Sequence, residues 1–235
     1  MSWRGVSWRA IAAAACALAA TGCDFVFRID HIPEQRIDAD VRPEDGAGVD
    51  ADQLCASPVI NTALDGTVPC APWGMKYEDF GATVTSGSSG LVIKPQNQFN
   101  SVAGCYSSNS QPFGIGGVKA HVTDLVRGAA VYTTLQVHGP DLEIKASGTG
   151  VVVFQTTNNV QLGMAVISEL PMWWRIRPVG TVDVIGEISP DGESWTMLGT
   201  ASPGPPAPVG VELNAGVDNG FTGGQSVFDR LVVCP

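Results

Sequence analysis

The run Asp141-Leu142-Glu143 sets two carboxylates two residues apart, which puts both on one face of a strand. Paired carboxylates at close range can do acid–base work on a glycosidic bond. The next residues are Ile144-Lys145-Ala146, so no third acid follows, and the pair reads as a solvated strand edge. A second constellation is Trp173, Arg175 and Arg177, which alternate with Trp174 and Ile176 and so share the opposite strand face. An indole there could stack on a sugar ring while the guanidinium groups donate to hydroxyls or carboxylates. Other chemistries lack parts. There is no G-x-S-x-G elbow for a nucleophile. His31, His121 and His138 are scattered, without an obvious partner. Gly114-Ile115-Gly116-Gly117 lacks the lysine and helix of a phosphate loop. The acidic run from Asp38 to Asp52 lacks the spacing and closing glutamate of an EF-hand calcium loop.

The elements that position these residues read as strands. Thr181 to Ser189 alternates: Val182, Val184, Gly186 and Ile188 fall on one face, Thr181, Asp183 and Glu187 on the other. Turns are predicted at Pro178-Val179-Gly180 and at Ser189-Pro190-Asp191-Gly192. In the second, Asp can bond its own backbone and Gly can take positive φ. Trp195 follows, placed to fold over the turn and fix its register. Further β-type runs are Met75–Phe80, Gly90–Lys94, Ala103–Ser107, Val118–Val122, Ala130–Val137, Asp141–Ala146, Val151–Gln155, Val160–Ile167, Val209–Asn214 and Val227–Val233. No amphipathic helix interrupts them. About eleven to thirteen short strands with turn residues between them predict an all-β, two-sheet antiparallel sandwich or jelly roll over 55–235.

The first 54 residues have another character. Residues 1–22 read as a signal peptide, with Arg4 and Arg9 before a short apolar run from Ile11 to Ala20. Leu18-Ala19-Ala20-Thr21-Gly22-Cys23 resembles a bacterial lipobox, although Ala20 stands where leucine is more usual. That resemblance implies cleavage before Cys23 and lipidation of its thiol, a membrane anchor whose strength grows with each buried CH₂. Residues 23–54 then form an acidic tether, with nine acids and three arginines after Cys23 and too few apolar residues to offset the entropy of ordering. Asp24 resembles an inner-membrane retention signal of enterobacteria, but other bacterial groups use different rules. The expected place is the bacterial cell envelope, lipid-anchored at the outer membrane or cell surface. The formal charge is −10, and −12 once Arg4 and Arg9 are removed, which argues against a nucleic-acid partner. Cys55, Cys70, Cys105 and Cys234 remain in the domain. Four cysteines in an exported chain predict two disulfides in one of three pairings, and the absence of C-x-x-C spacing argues against a metal site.

The stretch WWRIRPVGTVDVIGEISPDGESWTMLG, from Trp173 to Gly199, resembles a theme of the concanavalin-A-like lectin/glucanase superfamily, closest to small bacterial laminin-G-like sandwiches. Pro208–Leu213 and Val227–Val233 are similar to the closing strands of such domains, so the resemblance covers roughly the last 65 residues. It implies that the first and last strands are neighbours, which favours Cys55 or Cys70 over Cys105 as the partner of Cys234. It implies loop calcium in some members, for which Asp218 and Asn219 are the weak candidates; no other cofactor is expected. Glycan-cleaving members carry an E-x-D-x-x-E strand motif, which this chain lacks. The expectation is therefore a non-catalytic recognition module for a glycan or an envelope protein. The alternatives are a structural or assembly lipoprotein without a small ligand, and a divergent glycoside hydrolase.

Overall fold

A computed structural model describes residues 55–108, 110–128, 130–204, 207–218 and 224–235. Cys23, the signal peptide, the tether and Asn219 lie outside the described residues. Fifteen strands are present among the described residues: β1 (Ile60–Ala63), β2 (Met75–Asp79), β3 (Thr83–Gly87), β4 (Gly90–Lys94), β5 (Val102–Tyr106), β6 (Val118–Asp124), β7 (Val131–His138), β8 (Leu142–Ser147), β9 (Val151–Thr156), β10 (Gln161–Val166), β11 (Met172–Val179), β12 (Asp183–Ser189), β13 (Thr196–Ala201), β14 (Gly210–Val217) and β15 (Ser226–Val233). One sheet runs β13-β12-β11-β6-β15-β4-β3, with β1 also paired to β15. The other runs β10-β9-β8-β7-β14-β5-β2. All pairings are antiparallel.

Alternation decides which side chains enter the space between the sheets. From β7 it is Val131, Thr133, Leu135 and Val137; from β14 it is Val211, Leu213, Ala215 and Val217. From the facing sheet come Trp174, Ile176, Leu91, Ile93, Phe228 and Leu231. Trp174 meets Phe228 edge to face, 6.3 Å between ring centroids. Each such large side chain contributes roughly 1.5–3 kcal/mol on burial. Gly186 on β12 exists for this packing, since a Cβ there would lie 2.4 Å from the Phe154 ring. Cys55–Cys234 and Cys70–Cys105 are disulfide-bonded. The first joins the segment leading into β1 to the residue after β15, the neighbouring strands.

Two differences from the sequence reading have clear causes. The β11–β12 turn lies at Gly180-Thr181-Val182, and Pro178 is inside β11, opposite Val184. Proline is tolerated there because β11 stops pairing with β6 at Ile176↔Val118, so its missing N–H removes no ladder bond on that side. Val182, assigned to the inner face, is exposed in that turn. Asp141 is not a strand residue at all: it sits in the β7–β8 turn with a positive φ of 54°. It therefore shares no strand face with Glu143. Glu143 itself is not on a solvated edge; β8 is an interior strand and Glu143 is buried.

Candidate functional site

The outward face of the seven-stranded sheet carries a continuous polar row. The register matches Met75 with Tyr106, Tyr106 with Glu212, Glu212 with Gln136, Gln136 with Glu143, Glu143 with Gln155 and Gln155 with Gln161. These residues alternate with the core residues of their strands, so their side chains stand on the side away from the sandwich interior. The next row contains Tyr77, Gly104, Asn214, Thr134 and Lys145, and the one after it Gly216 and Tyr132. The chain has three tyrosines, and all three are on this face.

Glu212 is held from three sides. Tyr77 Oη donates to its Oε1 at 2.5 Å, Asn214 Nδ2 donates to the same oxygen at 2.8 Å, and His138 Nε2 donates to Oε2 at 2.8 Å. Burial alone would push this carboxyl up; the bonds from His138, Tyr77 and Asn214 outweigh it and hold Glu212 below the usual carboxylate range. Tyr77 is pushed far up by burial and by the adjacent Glu212 charge. Glu143 is held differently. Burial raises its carboxyl above the usual range, the Glu212 charge adds to this, and one donor, Gln155 Nε2 at 2.6 Å, partly offsets it. The same Gln155 amide also donates to Asn159 Oδ1 at 3.1 Å. Tyr106 meets the His138 ring edge to face at 5.2 Å. Tyr132 lies under the Lys145 ammonium, 4.4 Å from the ring centroid, and burial pushes its hydroxyl up to about 12. Asn214 is 6% exposed, and its Oδ1 has no hydrogen-bond partner among the described residues. Beside this patch a cavity of about 280 Å³ is lined by Tyr132, Lys145, Gln155, Asn159 and Asp218. Asp218 is thus placed at its rim. No group of three or more His, Cys, Asp or Glu is arranged to hold a metal ion among the described residues.

Trp173, Arg175 and Arg177 do share one face, as alternation requires, but on the other sheet. Arg175 is 1% exposed and donates through Nε to Glu187 Oε2 at 2.7 Å. The Trp195 ring lies on the Arg175 guanidinium, 3.8 Å away. Arg177 donates to both oxygens of the same Glu187, at 2.9 and 3.3 Å. Both arginines are therefore engaged by the fold. Trp173 stacks on His121, 4.6 Å between centroids, and lines a cavity of about 440 Å³ with Lys119, Arg230 and the Asp191-Gly192-Glu193 turn. His121 in turn bonds Asp229 at 2.6 Å. Asp191 accepts the backbone N–H groups of Ser194 and Glu193 and the Ser189 hydroxyl, which hold its carboxyl far below the usual range.

Sequence reasoning reached Glu143 but set it on one strand face with Asp141 as a solvated edge, and it passed over Glu212, Tyr77, Tyr106, Tyr132, His138 and Asn214. For Glu212 the signal was present: Val209, Val211 and Leu213 alternate with Gly210, Glu212 and Asn214, which marks the second set as outward.

No protein-family model and no curated protein matches this chain. Solved structures do. It is similar to an apo Crh5 transglycosylase at TM-score 0.56 and 12% identity, over 77% of this chain and 85% of that one. It is similar to an endo-β-galactosidase from Clostridium perfringens that releases GlcNAcα1-4Gal, at TM-score 0.52 and 9% identity, over 75% of this chain and 61% of the other. A third structure, from work on endo-acting O-glycanases by which human gut microbiota initiate mucin breakdown, aligns at TM-score 0.51 and 10% identity, over 76% and 99%. The expectation of a non-catalytic module does not stand: a fold shared with a transglycosylase and a galactosidase leaves enzymatic activity open to this chain. The described residues form an all-β, two-sheet antiparallel sandwich, a fold shared with these structures.

Proposed function

We propose that the domain binds a glycan chain across the outward face of the seven-stranded sheet. One observation carries this reading. The only three tyrosines of the chain share a single face with Glu212, a carboxylate already fixed by three donors. Tyrosine offers a sugar an apolar ring with a polar tip. A carboxylate already fixed by neighbouring donors accepts hydroxyl protons without further ordering cost. The likeness to carbohydrate-active proteins is one of fold and supports the reading only to that extent.

The test is binding of the purified full chain to laminarihexaose, poly-N-acetyllactosamine and mucin O-glycans by array and calorimetry. Binding to at least one is expected. Tyr106→Ala or Tyr132→Ala should weaken it by on the order of tenfold, equivalent to about 1.4 kcal/mol, while Trp173→Ala on the opposite sheet should leave it unchanged. A folded chain that binds none of the three, or that loses binding with Trp173→Ala alone, overturns the reading.

For delivery, the lipobox-like sequence supports a companion proposal: Cys23 carries a lipid anchor that displays the domain from the bacterial cell envelope. Intact mass of the membrane-purified protein should equal residues 23–235 plus acyl chains; an unacylated mass refutes it.

A further inference from the structure

On the sheet opposite the tyrosine face, a cavity of about 440 Å³ opens over the outward side of β11, β6, β15 and β1. Small-molecule sites occupy about 300–1,000 Å³. The strand floor presents Trp173, Lys119, Val232, Arg230 and Asn61. Lys119 is 5% exposed and stands opposite Arg175 in register, so two cations lie side by side where like charges repel. Arg230 is exposed. Its Nε and Nη2 donate to Asn61 Oδ1 at 3.2 and 2.8 Å, which sets the plane of the guanidinium and leaves Nη1 out of that contact. Trp173 is held on one ring face by His121, itself bonded to Asp229.

The walls are fixed as firmly as the floor. One holds Cys55, Ala56 and Pro58, tied down by the Cys55–Cys234 bond and by the Val59 N–H donating to the Val233 carbonyl at 2.9 Å. The other is the turn Asp191-Gly192-Glu193. Asp191 Oδ1 accepts from Ser189, Glu193 and Ser194, and the Gly192 N–H donates to Ser189 Oγ at 2.8 Å. Asp191 is thus engaged by its own turn, while Glu193 is exposed. The lining therefore carries Lys119 and Arg230 on the strands, Asp191 and Glu193 on the turn, and apolar surface from Val232, Pro58 and the Trp173 indole. A simple anion would be repelled by Glu193, and a simple cation by Lys119 and Arg230. A ligand of zero net charge with its two signs at separate ends matches both. We propose that this cavity binds a zwitterion of amino-acid to dipeptide size with an apolar side chain. Its carboxylate is taken by Arg230 and Lys119, its ammonium by Glu193, and its side chain lies on Trp173. Because floor and walls are already fixed, little ordering cost attends binding. The site lies on the other sheet from the glycan face and does not depend on that reading.

The experiment is calorimetry on the purified full chain with phenylalanine, glycyl-phenylalanine, 3-phenylpropionate, which lacks the ammonium, and phenylalaninamide, which lacks the carboxylate. At least one of the two zwitterions is expected to bind, with each single-charge analogue weaker by about tenfold. Arg230→Gln should weaken the zwitterion and 3-phenylpropionate alike, by about tenfold. Glu193→Gln should weaken the zwitterion to a similar degree yet leave 3-phenylpropionate as tight or tighter, a crossed effect that a merely structural role would not give. Both side chains are exposed, so both variants are expected to keep the parent Tm. Tyr106→Ala, on the glycan face, should change nothing. Failure of both zwitterions to bind at millimolar concentration overturns the inference. So does an analogue that binds as tightly as the zwitterion, or a Glu193→Gln variant that weakens zwitterion and 3-phenylpropionate equally. Loss of binding in Tyr106→Ala overturns it as well, since the ligand would then sit on the other sheet.

Discussion

Replacing Glu187 by alanine should cost far more than replacing either face of its surroundings would suggest. Glu187 is the shared carboxylate of Arg175 and Arg177, with side-chain exposures of 7%, 2% and 21%. Glu187→Ala leaves the Arg175 guanidinium charged beneath the Trp195 ring, cut off from water on that side. Removing one partner of a buried ion pair costs about 3–5 kcal/mol. Arg177→Ala removes only the more exposed partner and keeps the Arg175–Glu187 bond, so its cost should be about 0.2–1 kcal/mol. Converting Arg175 and Glu187 together to methionine and leucine removes both charges. That double variant should recover most of the loss, because a buried pair roughly breaks even against apolar residues of similar volume. The assay is urea unfolding with the disulfides intact, reading Cm at unchanged m. A Glu187→Ala cost below about 1 kcal/mol, or a double variant no more stable than Glu187→Ala, would refute the reasoning.

Four other outcomes are expected. Glu143, raised by burial, gives stability that is present below its unfolded value of about 4.3 and lost as pH rises through its folded value; Glu143→Gln should therefore raise Tm at pH 7 and change it little at pH 3. Glu212, held low, gives stability present above about 4.3 and lost as pH falls through its folded value; Glu212→Gln should lower Tm at pH 7 by removing charge-assisted bonds, and flatten the acid limb of the Tm–pH curve. Gly186→Ala should cost about 1–3 kcal/mol in urea unfolding, because its Cβ would lie 2.4 Å from the packed Phe154 ring. Chain separations of 179 and 35 residues make the double alanine variant of Cys55 and Cys234 more damaging than that of Cys70 and Cys105. The loop-closure estimates are about 5 and about 4 kcal/mol, to be compared by Cm.

Strand positions were readable where apolar residues alternate. Gly90–Lys94 is β4 to the residue, and most other runs shift by one or two. β1 and β3 were missed because Ile60-Asn61-Thr62-Ala63 and Thr83-Val84-Thr85-Ser86-Gly87 carry few apolar side chains; pairing with β15 and β4 makes them strands. Placing the turn at Val179 misaligned the β11–β12 hairpin. The true register sets Arg175 opposite Glu187 and turns a supposed ligand contact into an internal ion pair. The Glu143–Glu212 pair was beyond local reading for another reason. The two residues are adjacent-but-one only because the sheet order is β8-β7-β14, and strand order is fixed by long-range packing, not by the alternation within any strand.

The Cys55–Cys234 bond also has a mechanical side. It closes the chain between those residues into a covalent ring, in parallel with the short β1–β15 ladder. Tension arriving along the residues before Cys55 passes through sulfur to the end of β15, a strand flanked by β6 and β4, and does not fall on the four residue pairs of β1. A load that would peel an edge strand from an open chain instead pulls on the middle of a sheet. Were the domain held from its N-terminal side, as the lipid-anchor proposal has it, it could be tugged without being unzipped.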